Sequence, residues 1–332
     1  APPQKKGKGG GGVYNLVRRS PVLSTLRKPY GIYANKKEEG FETDPIIEQD
    51  WDKLRFGGIE RLYGSEYLSK FQNSHICIVG VGGVGSWTVE SLARMGVGEM
   101  TMIDLDDICI SNVNRQLHAL SSTVGRQKVD VLAARAQDIN PNIKIHAISD
   151  FFTNYTAEAL FGPRRGGGKE FDVVIDAIDS VDHKADLIHE CVLRSIPVIT
   201  VGGAGGRMDP TQIKVSDLGC VTHDPLLKSV RKLLRSRYGY PPLNTDWGVP
   251  CVFSRERAHF PTERREGGEG SKMDCASGYG TATHVTGTFG FTAAHVTAQT
   301  LSRNSRPSAY PYCIQSFESF VKRGSSFSRR EN

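Results

Sequence analysis

The sequence predicts an α/β fold: a mostly parallel sheet with helices on both faces, followed by a C-terminal extension of added strands and helices. Three observations predict it. From His75 onward, short apolar runs of strand length alternate with longer amphipathic segments. The runs are continuously apolar rather than alternating, as in strands buried on both faces. The first of them ends in Gly80-Val-Gly-Gly-Val-Gly85, a turn that joins a strand directly to a helix. The 332 residues are 38% hydrophobic and 23% charged, which supports a sizeable core and excludes wholesale disorder. No apolar run approaches the ~18 residues that a membrane span needs.

The elements follow in order. Asp50–Phe71 reads as a helical lead-in. His75–Val79 (HICIV) is the first strand, and Ser86–Met95 is the helix after the glycine turn. Glu99–Asp104 (EMTMID) is the second strand. Lys128–Ile139 is amphipathic, with Val129, Leu132, Ala133, Ala136 and Ile139 on one side, and Asn140-Pro141 stops it. Ile143–Ile148 and Phe171–Asp176 (FDVVID) are the third and fourth strands, Val181–Arg194 a helix, and Ile196–Val201 (IPVITV) the fifth strand. Beyond Gly202 the pattern loosens. Gln212–Val215 reads as an added strand, Leu226–Arg237 as a helix with Leu226, Leu227, Val230, Leu233 and Leu234 on its apolar side, and Gly287–Thr300 as a final apolar helix. Pro163–Lys169 and Thr262–Lys272 read as inserted surface loops.

The net charge of +6 misleads. Nine of the 42 Lys and Arg residues lie within residues 1–37, which hold no acid, so the rest of the chain is slightly acidic. A basic, acid-free, Ser-containing N-terminus reads either as an organelle transit segment or as a solvated tail. The expected compartment is the cytoplasm, or the mitochondrion or plastid on the transit reading. Seven cysteines, an odd number without a secretory signal, point to a reducing compartment. With no C-x-x-C pair, no zinc site of the usual kind is expected.

Strand, G-x-G-x-x-G and helix together are a nucleotide fingerprint of a Rossmann-like fold. Gly80 permits the tight turn, Gly82 lets backbone approach a phosphate, and the helix behind Gly85 presents free N–H groups to an anion. Asp104 ends the next strand, where an acid bonds ribose hydroxyls. This much does not separate a dinucleotide from ATP. The segment IDLDDICISNVNRQLHA then supplies Asp106, Asn112, Arg115 and Gln116, and Lys128 begins the next helix. Attack on an α-phosphate builds charge that an Arg and a Lys can neutralise, whereas a nicotinamide has no need of them. Asp179 follows the fourth strand, where open α/β sheets place ligands and where a carboxylate can hold Mg²⁺. Each residue has a plainer reading: Asp179 and Ser180 as a helix cap, Lys128 as a solvated helix residue, Arg115 as one half of a surface ion pair. No G-x-x-x-x-G-K-[ST] occurs, which excludes a P-loop enzyme.

This order of motifs resembles the adenylating superfamily of ThiF, MoeB and ubiquitin-activating enzymes. The carry-over falls on Gly80, Gly82, Gly83, Gly85, Asp104, Asp106, Asn112, Arg115, Gln116, Lys128 and Asp179. Further segments resemble its tRNA threonylcarbamoyladenosine dehydratase branch: Arg55-Phe-Gly-Gly-Ile-Glu-Arg-Leu-Tyr-Gly64, Ile175-Asp-Ala-Ile-Asp-Ser180, Gly202-Gly-Ala-Gly-Gly206, Asp209-Pro-Thr-Gln212, Cys251-Val-Phe-Ser254 and Met273-Asp-Cys275. The resemblance spans about Trp51 to Leu301. It implies an ATP-binding domain over 50–206, a continuation over 207–303 with dimer and tRNA elements, and tails over 1–49 and 304–332.

What the resemblance implies is ATP-dependent cyclisation of a modified adenosine beside the tRNA anticodon, with Mg²⁺ and through an acyl-adenylate. Arg115 and Lys128 would stabilise charge, Asp179 would hold Mg²⁺, and Asp104 the ribose. An arginine of the lead-in helix, Arg61 first and Arg55 second, would reach the partner's ATP, which makes the protein a homodimer. A cysteine-desulfurase or sulfur-acceptor system is a further implied partner. Cys251 aligns with a cysteine of the branch and is a candidate thiol, although ring closure needs no thioester and a packed or exposed thiol is the other reading. The candidate tRNA footprint is the helix Leu226–Arg237, with Lys228, Arg231, Lys232 and Arg235 on the side away from its leucines, joined by Arg164, Arg165, Arg264 and Arg265. A solvated basic face reads the same way. The rival activities are adenylation of a ubiquitin-like or sulfur-carrier protein, a non-catalytic scaffold, and NAD-dependent oxidoreduction.

Overall fold

A computed structural model describes residues 51–161, 171–259 and 280–302. Seven strands form one sheet in the order β3-β2-β1-β4-β5-β7-β6. They are β1 His75–Val79, β2 Glu99–Ile103, β3 Lys144–Ile148, β4 Val173–Asp176, β5 Val198–Val201, β6 Ile213–Asp217 and β7 Pro250–Ser254. All neighbours pair in parallel except β6, which runs antiparallel to β7. β1, β4 and β5 are buried along their whole length, as expected for central strands covered on both faces.

Side chains alternate between the faces with period two. Ile76, Ile78, Met100 and Met102 point to one layer, formed by α3 (Gly85–Arg94), α4 (Lys128–Ile139) and α8 (Thr283–Ser302). Cys77, Val79, Ile103 and Val174 point to the other, formed by α5 (Ala157–Phe161), α6 (Val181–Leu193) and α7 (Pro225–Tyr238). The predicted strands and long helices are all present.

Four differences have physical reasons. The lead-in is two helices, α1 Trp51–Tyr63 and α2 Ser65–Gln72, because Gly64 takes φ 94° between them. The strand β7 carries no flanking signal in the sequence; it becomes a strand because β5 and β6 supply partners on both sides. The single-turn-length helix α5 is too short to show a period. The helix α8 starts four residues earlier than its apolar run, where Thr288 Oγ1 donates back to His284 O at 2.7 Å. The two inserted loops with their four arginines, Met273-Asp-Cys275 and both tails lie outside the described residues.

The strand order reverses between β1 and β4, so the loops leaving these strands diverge and open a crevice at their carboxyl ends. The opposite edge of the sheet is closed by α1 and α2: Phe56 and Leu68 pack on the Gly96 turn, and Gly98 N donates to Phe71 O at 3.1 Å. Among the described residues no helix is long and apolar enough to cross a membrane.

The far end of the sheet is organised by one buried carboxylate. Asp217 accepts from Gly219 N at 2.7 Å, Trp247 N at 2.8 Å and Val249 N at 2.9 Å, which ties β6 to the segment entering β7. Burial and the adjoining Asp246 carboxyl nevertheless raise its pKa to about 7, against the pull of the backbone donors. A carboxyl raised in the folded state contributes stability that is complete below its unfolded pKa of about 3.9 and is lost as pH rises through the folded value. In urea unfolding, Asp246→Asn should therefore gain stability relative to the native chain as pH rises from about 5 to about 8. A pH-independent difference would show that the two carboxyls share no proton.

Candidate active site

The crevice is built from glycine packing. Gly80 has φ 85°, and a Cβ on it would stand 2.8 Å from Ala177 O, in the loop after β4. A Cβ on Gly85 would overlap Gly80 O. These two glycines are required by backbone contact. Gly82 and Gly83 are different: added Cβ atoms would meet only side-chain atoms, Gln116 Nε2 at 3.6 Å and Thr286 Cγ2 at 3.4 Å. Their backbone therefore faces a cradle that a side chain would narrow. Helix α3 starts here with no side-chain cap; Ser86 N donates to Gly82 O at 3.1 Å, and the positive end of the helix dipole at this turn favours an anion.

The segment between β2 and α4 wraps this turn. Asp104 Oδ2 accepts from Val81 N at 2.8 Å and Oδ1 from Asp106 N at 3.0 Å. Each oxygen keeps a second lone pair for a ribose hydroxyl. Lys128, 5% exposed, places Nζ 2.6 Å from Asp106 Oδ2 and 3.7 Å from Asp104 Oδ1. The solvated-helix reading of Lys128 is thus incorrect; it is a buried ammonium held between two acids. Asn112 is buried, and its Oδ1 accepts from Cys109 N at 3.0 Å, so it shapes the loop. Arg115 lays its stem over Gly83 and donates to Ser111 O at 2.8 Å and Asn114 Oδ1 at 3.0 Å. Its carbonyl is pinned by Trp87 Nε1 and Thr286 Oγ1, both at 3.1 Å. Gln116 is buried beside Gly82, and its Oε1 has no partner among the described residues. An orphaned buried acceptor is costly, and the same amide turns its Nε2 toward Gly82. Glycines, acids and cations thus fit a nucleoside triphosphate.

Asp179 is exposed beyond β4, and Ser180, the N-cap of α6, makes no side-chain cap bond. The capping reading of this pair does not hold, and Asp179 stands exposed in the segment that follows β4. On the lead-in, Arg55 donates to Ile139 O at 2.7 Å, whereas Arg61 is exposed on α1.

Two corrections concern residues away from the cradle. Arg231 lies on the leucine side of α7 at 9% exposure, its pKa lowered by burial; only Lys228, Lys232 and Arg235 are exposed. Cys251 is sealed inside β7, and burial raises its thiol well above the usual range. That disfavours the thiolate, the nucleophilic form.

Three groups of the site escaped the sequence reading. Lys184 and Asp176 form a fully buried ion pair at 2.9 Å beneath the β4 loop. Lys184 also donates to Ile178 O at 2.9 Å, and Thr200 to Asp176 Oδ2 at 2.6 Å. Burial raises the Asp176 carboxyl above its ordinary range, with Lys184 the first of the groups opposing it. The pair fixes the loop that carries Asp179. The signal was present: Lys184 occupies a core-facing position of α6 beside Ala185, Leu187 and Ile188. His118, buried, donates from Nε2 to Val81 O at 2.9 Å, and burial lowers its pKa. A carbonyl only accepts, so this neutral imidazole carries its proton on Nε2.

A cavity of about 610 Å³ lined by Asp52, Phe56, Gln72, Glu99, Asn140 and Lys144 is a separate feature. Glu99 and Lys144 begin their strands, so it lies at the opposite end of the sheet from the glycine turn.

The ThiF family model matches residues 58–312. The chain belongs to the ThiF family. It is 44% identical over 272 residues to the tRNA threonylcarbamoyladenosine dehydratase of Escherichia coli, covering 79% of this chain and 98% of that protein. The Haemophilus influenzae dehydratase is 46% identical over 240 residues, 72% of this chain and 90% of its own length. The Escherichia coli tRNA N6-threonylcarbamoyladenosine dehydratase crystallised with AMP superposes with a TM-score of 0.68 at 42% identity, covering 78% of this chain and 98% of that chain. The same enzyme has been crystallised with ATP.

The glycine geometry makes one expectation sharp. Gly82→Ala should weaken ATP binding at least tenfold, measured by calorimetry, while the melting temperature stays within about 2 °C, because the new methyl enters the cradle and strains no backbone. Unchanged ATP affinity would place the phosphates elsewhere.

Proposed function

We propose that this chain is an ATP-dependent tRNA threonylcarbamoyladenosine dehydratase, which cyclises the threonylcarbamoyl group of the modified adenosine beside the anticodon. The observation that carries the reading is the nucleotide cradle at the β1/β4 switch point in a chain similar to dehydratases over nearly their whole length.

The chemistry suits the site. A carboxylate is a poor electrophile. Its oxygen attacks the α-phosphorus of ATP and pyrophosphate leaves, which gives the acyl-adenylate. The ureido group of the same modification then attacks the activated carbonyl and AMP departs with the carboxylate oxygen. The net change in the nucleoside is loss of water. The second step is intramolecular and gains the proximity advantage of tethered reactants.

In this reading the α3 N-terminus and the Gly82–Gly83 backbone hold the phosphates, and Asp104 the ribose. Lys128 exchanges part of its pairing with Asp106 for the developing charge at the α-phosphate. Arg115, its backbone pinned and its guanidinium on local oxygens, turns to the leaving pyrophosphate. Gln116, whose Nε2 lies beside Gly82, donates to the bound nucleotide. Asp179, exposed after β4, would hold the Mg²⁺ that accompanies ATP, and that ion would screen phosphate charge.

A homodimer completes the arrangement, with Arg61 reaching the partner's nucleotide. Its support is the exposure of Arg61 and of the apolar side chains Leu62, Ile110 and Leu120 on α1 and the wrapping loop. The tRNA lies along Lys228, Lys232 and Arg235 of α7, whose charges attract the phosphate backbone. The sealed Cys251 counts against a thioester relay, and so against activation of a carrier protein by that route.

Mass spectrometry of tRNA from cells lacking the protein should show an adenosine modification heavier by one water. An unchanged nucleoside profile would overturn the reading. With purified protein and modified tRNA, Lys128→Ala should lower AMP formation by about 100-fold or more, whereas Cys251→Ser should retain most of the turnover. A dead Cys251→Ser enzyme with a native melting curve would instead implicate the thiol.

A further inference from the structure

The amino-terminal edge of the sheet carries a second cluster of chemistry-bearing side chains, remote from the glycine turn. Strand register assembles it. His75 on β1 stands beside Glu99 on β2, and Thr101 on β2 stands beside His146 on β3. Residues two apart on a strand share a face, so His75, Glu99, Thr101 and His146 all project toward the α5–α6 layer. They interrupt the otherwise apolar runs HICIV and EMTMI, and His146 stands between Ile145 and Ala147 in KIHAI.

The donor atoms converge. His146 Nε2 lies 2.8 Å from Glu99 Oε1, and His75 Nδ1 lies 3.6 Å from the same oxygen. All three ligand atoms lie within 4.8 Å of one another. A zinc ion with bonds of about 2.1 Å spaces tetrahedral ligand atoms roughly 3.4 Å apart, within the spread found here. The other nitrogen of His75, Nε2, is 2.9 Å from Thr101 Oγ1, which orients the ring as outer partners orient metal-binding histidines. Phe171 packs edge-on against the fully buried His75 ring at 4.8 Å between centroids. His146 is 42% exposed and Glu99 21%, so an ion can enter from solvent.

We infer that His75, Glu99 and His146 form a binding site for one divalent zinc-class metal ion, which clamps the starts of β1, β2 and β3. The donor set selects the ion. Two imidazole nitrogens and one carboxylate oxygen suit Zn²⁺ or Co²⁺, whereas Mg²⁺ and Ca²⁺ require oxygen ligands. The inference stands apart from the nucleotide chemistry: strands β1 to β3 run their full length between this cluster and the cradle.

The test uses the full chain, stripped of metal and free of nucleotide. Co²⁺ is titrated by its visible absorption, and Zn²⁺ against a chromophoric chelator. One equivalent per chain should bind. His146→Ala removes an exposed ring at little cost to folding and should weaken binding at least tenfold. Glu99→Gln, which keeps the side-chain volume, should do the same. Zn²⁺ should raise the melting temperature of the native chain and leave that of His146→Ala unmoved. Absence of stoichiometric binding overturns the inference. So does equal affinity in the native and His146→Ala chains, which would place the ion on Cys109, Cys220 or Asp179 instead.

Discussion

Gly80 and Gly85 let two segments of backbone approach more closely than any side chain permits, and the site depends on that approach. With Gly80 against Ala177 O and Gly85 against Gly80 O, the turn after β1 is locked to the loop after β4 and to the start of α3. The crevice, the uncapped helix N-terminus and the place of Asp179 all follow from this packing. Gly82 and Gly83, under no such constraint, are left to face the ligand.

Around the turn, the protein holds charge in pairs. Lys128 sits between Asp104 and Asp106, and Lys184 is sealed against Asp176. Burying an ion pair gains little net stability over a well-packed apolar core, because desolvation offsets the attraction. Their value here is positional. Asp176 and Lys184 anchor the loop at the end of β4, and Lys128 is kept out of bulk water where its charge would be screened. The triad of His75, Glu99 and His146 shows the same logic at the other edge, where three adjacent strands bring donors together by register alone.

How far each element was legible depends on whether its signal was local. HICIV, FDVVID and IPVITV read as strands because central parallel strands are apolar on both faces. The turn, Asp104 and Lys128 read as a nucleotide site because each occupies a fixed place in a strand-turn-helix order. PCVFS lacked such framing, and its strand character comes from β5 and β6. Arg231 was misplaced because its charge was weighed above its spacing: it follows Leu227 by four residues and precedes Leu234 by three, which sets it on the leucine side of α7. Lys184 was overlooked for the converse reason: a lysine in an apolar stripe reads as a flaw in the pattern until its acid is seen at the end of β4.

The sequence by itself determined the sheet-and-helix alternation, the glycine turn and the residue types of the nucleotide site, since hydrophobic period and turn chemistry act over a few neighbouring residues. Only the tertiary structure decided which charges are paired, which thiol is sealed and which histidines meet. Those outcomes depend on strand order and register, which bring together residues such as Asp106 with Lys128 and His75 with His146. Burial and Coulomb attraction act through space, and the chain order records neither.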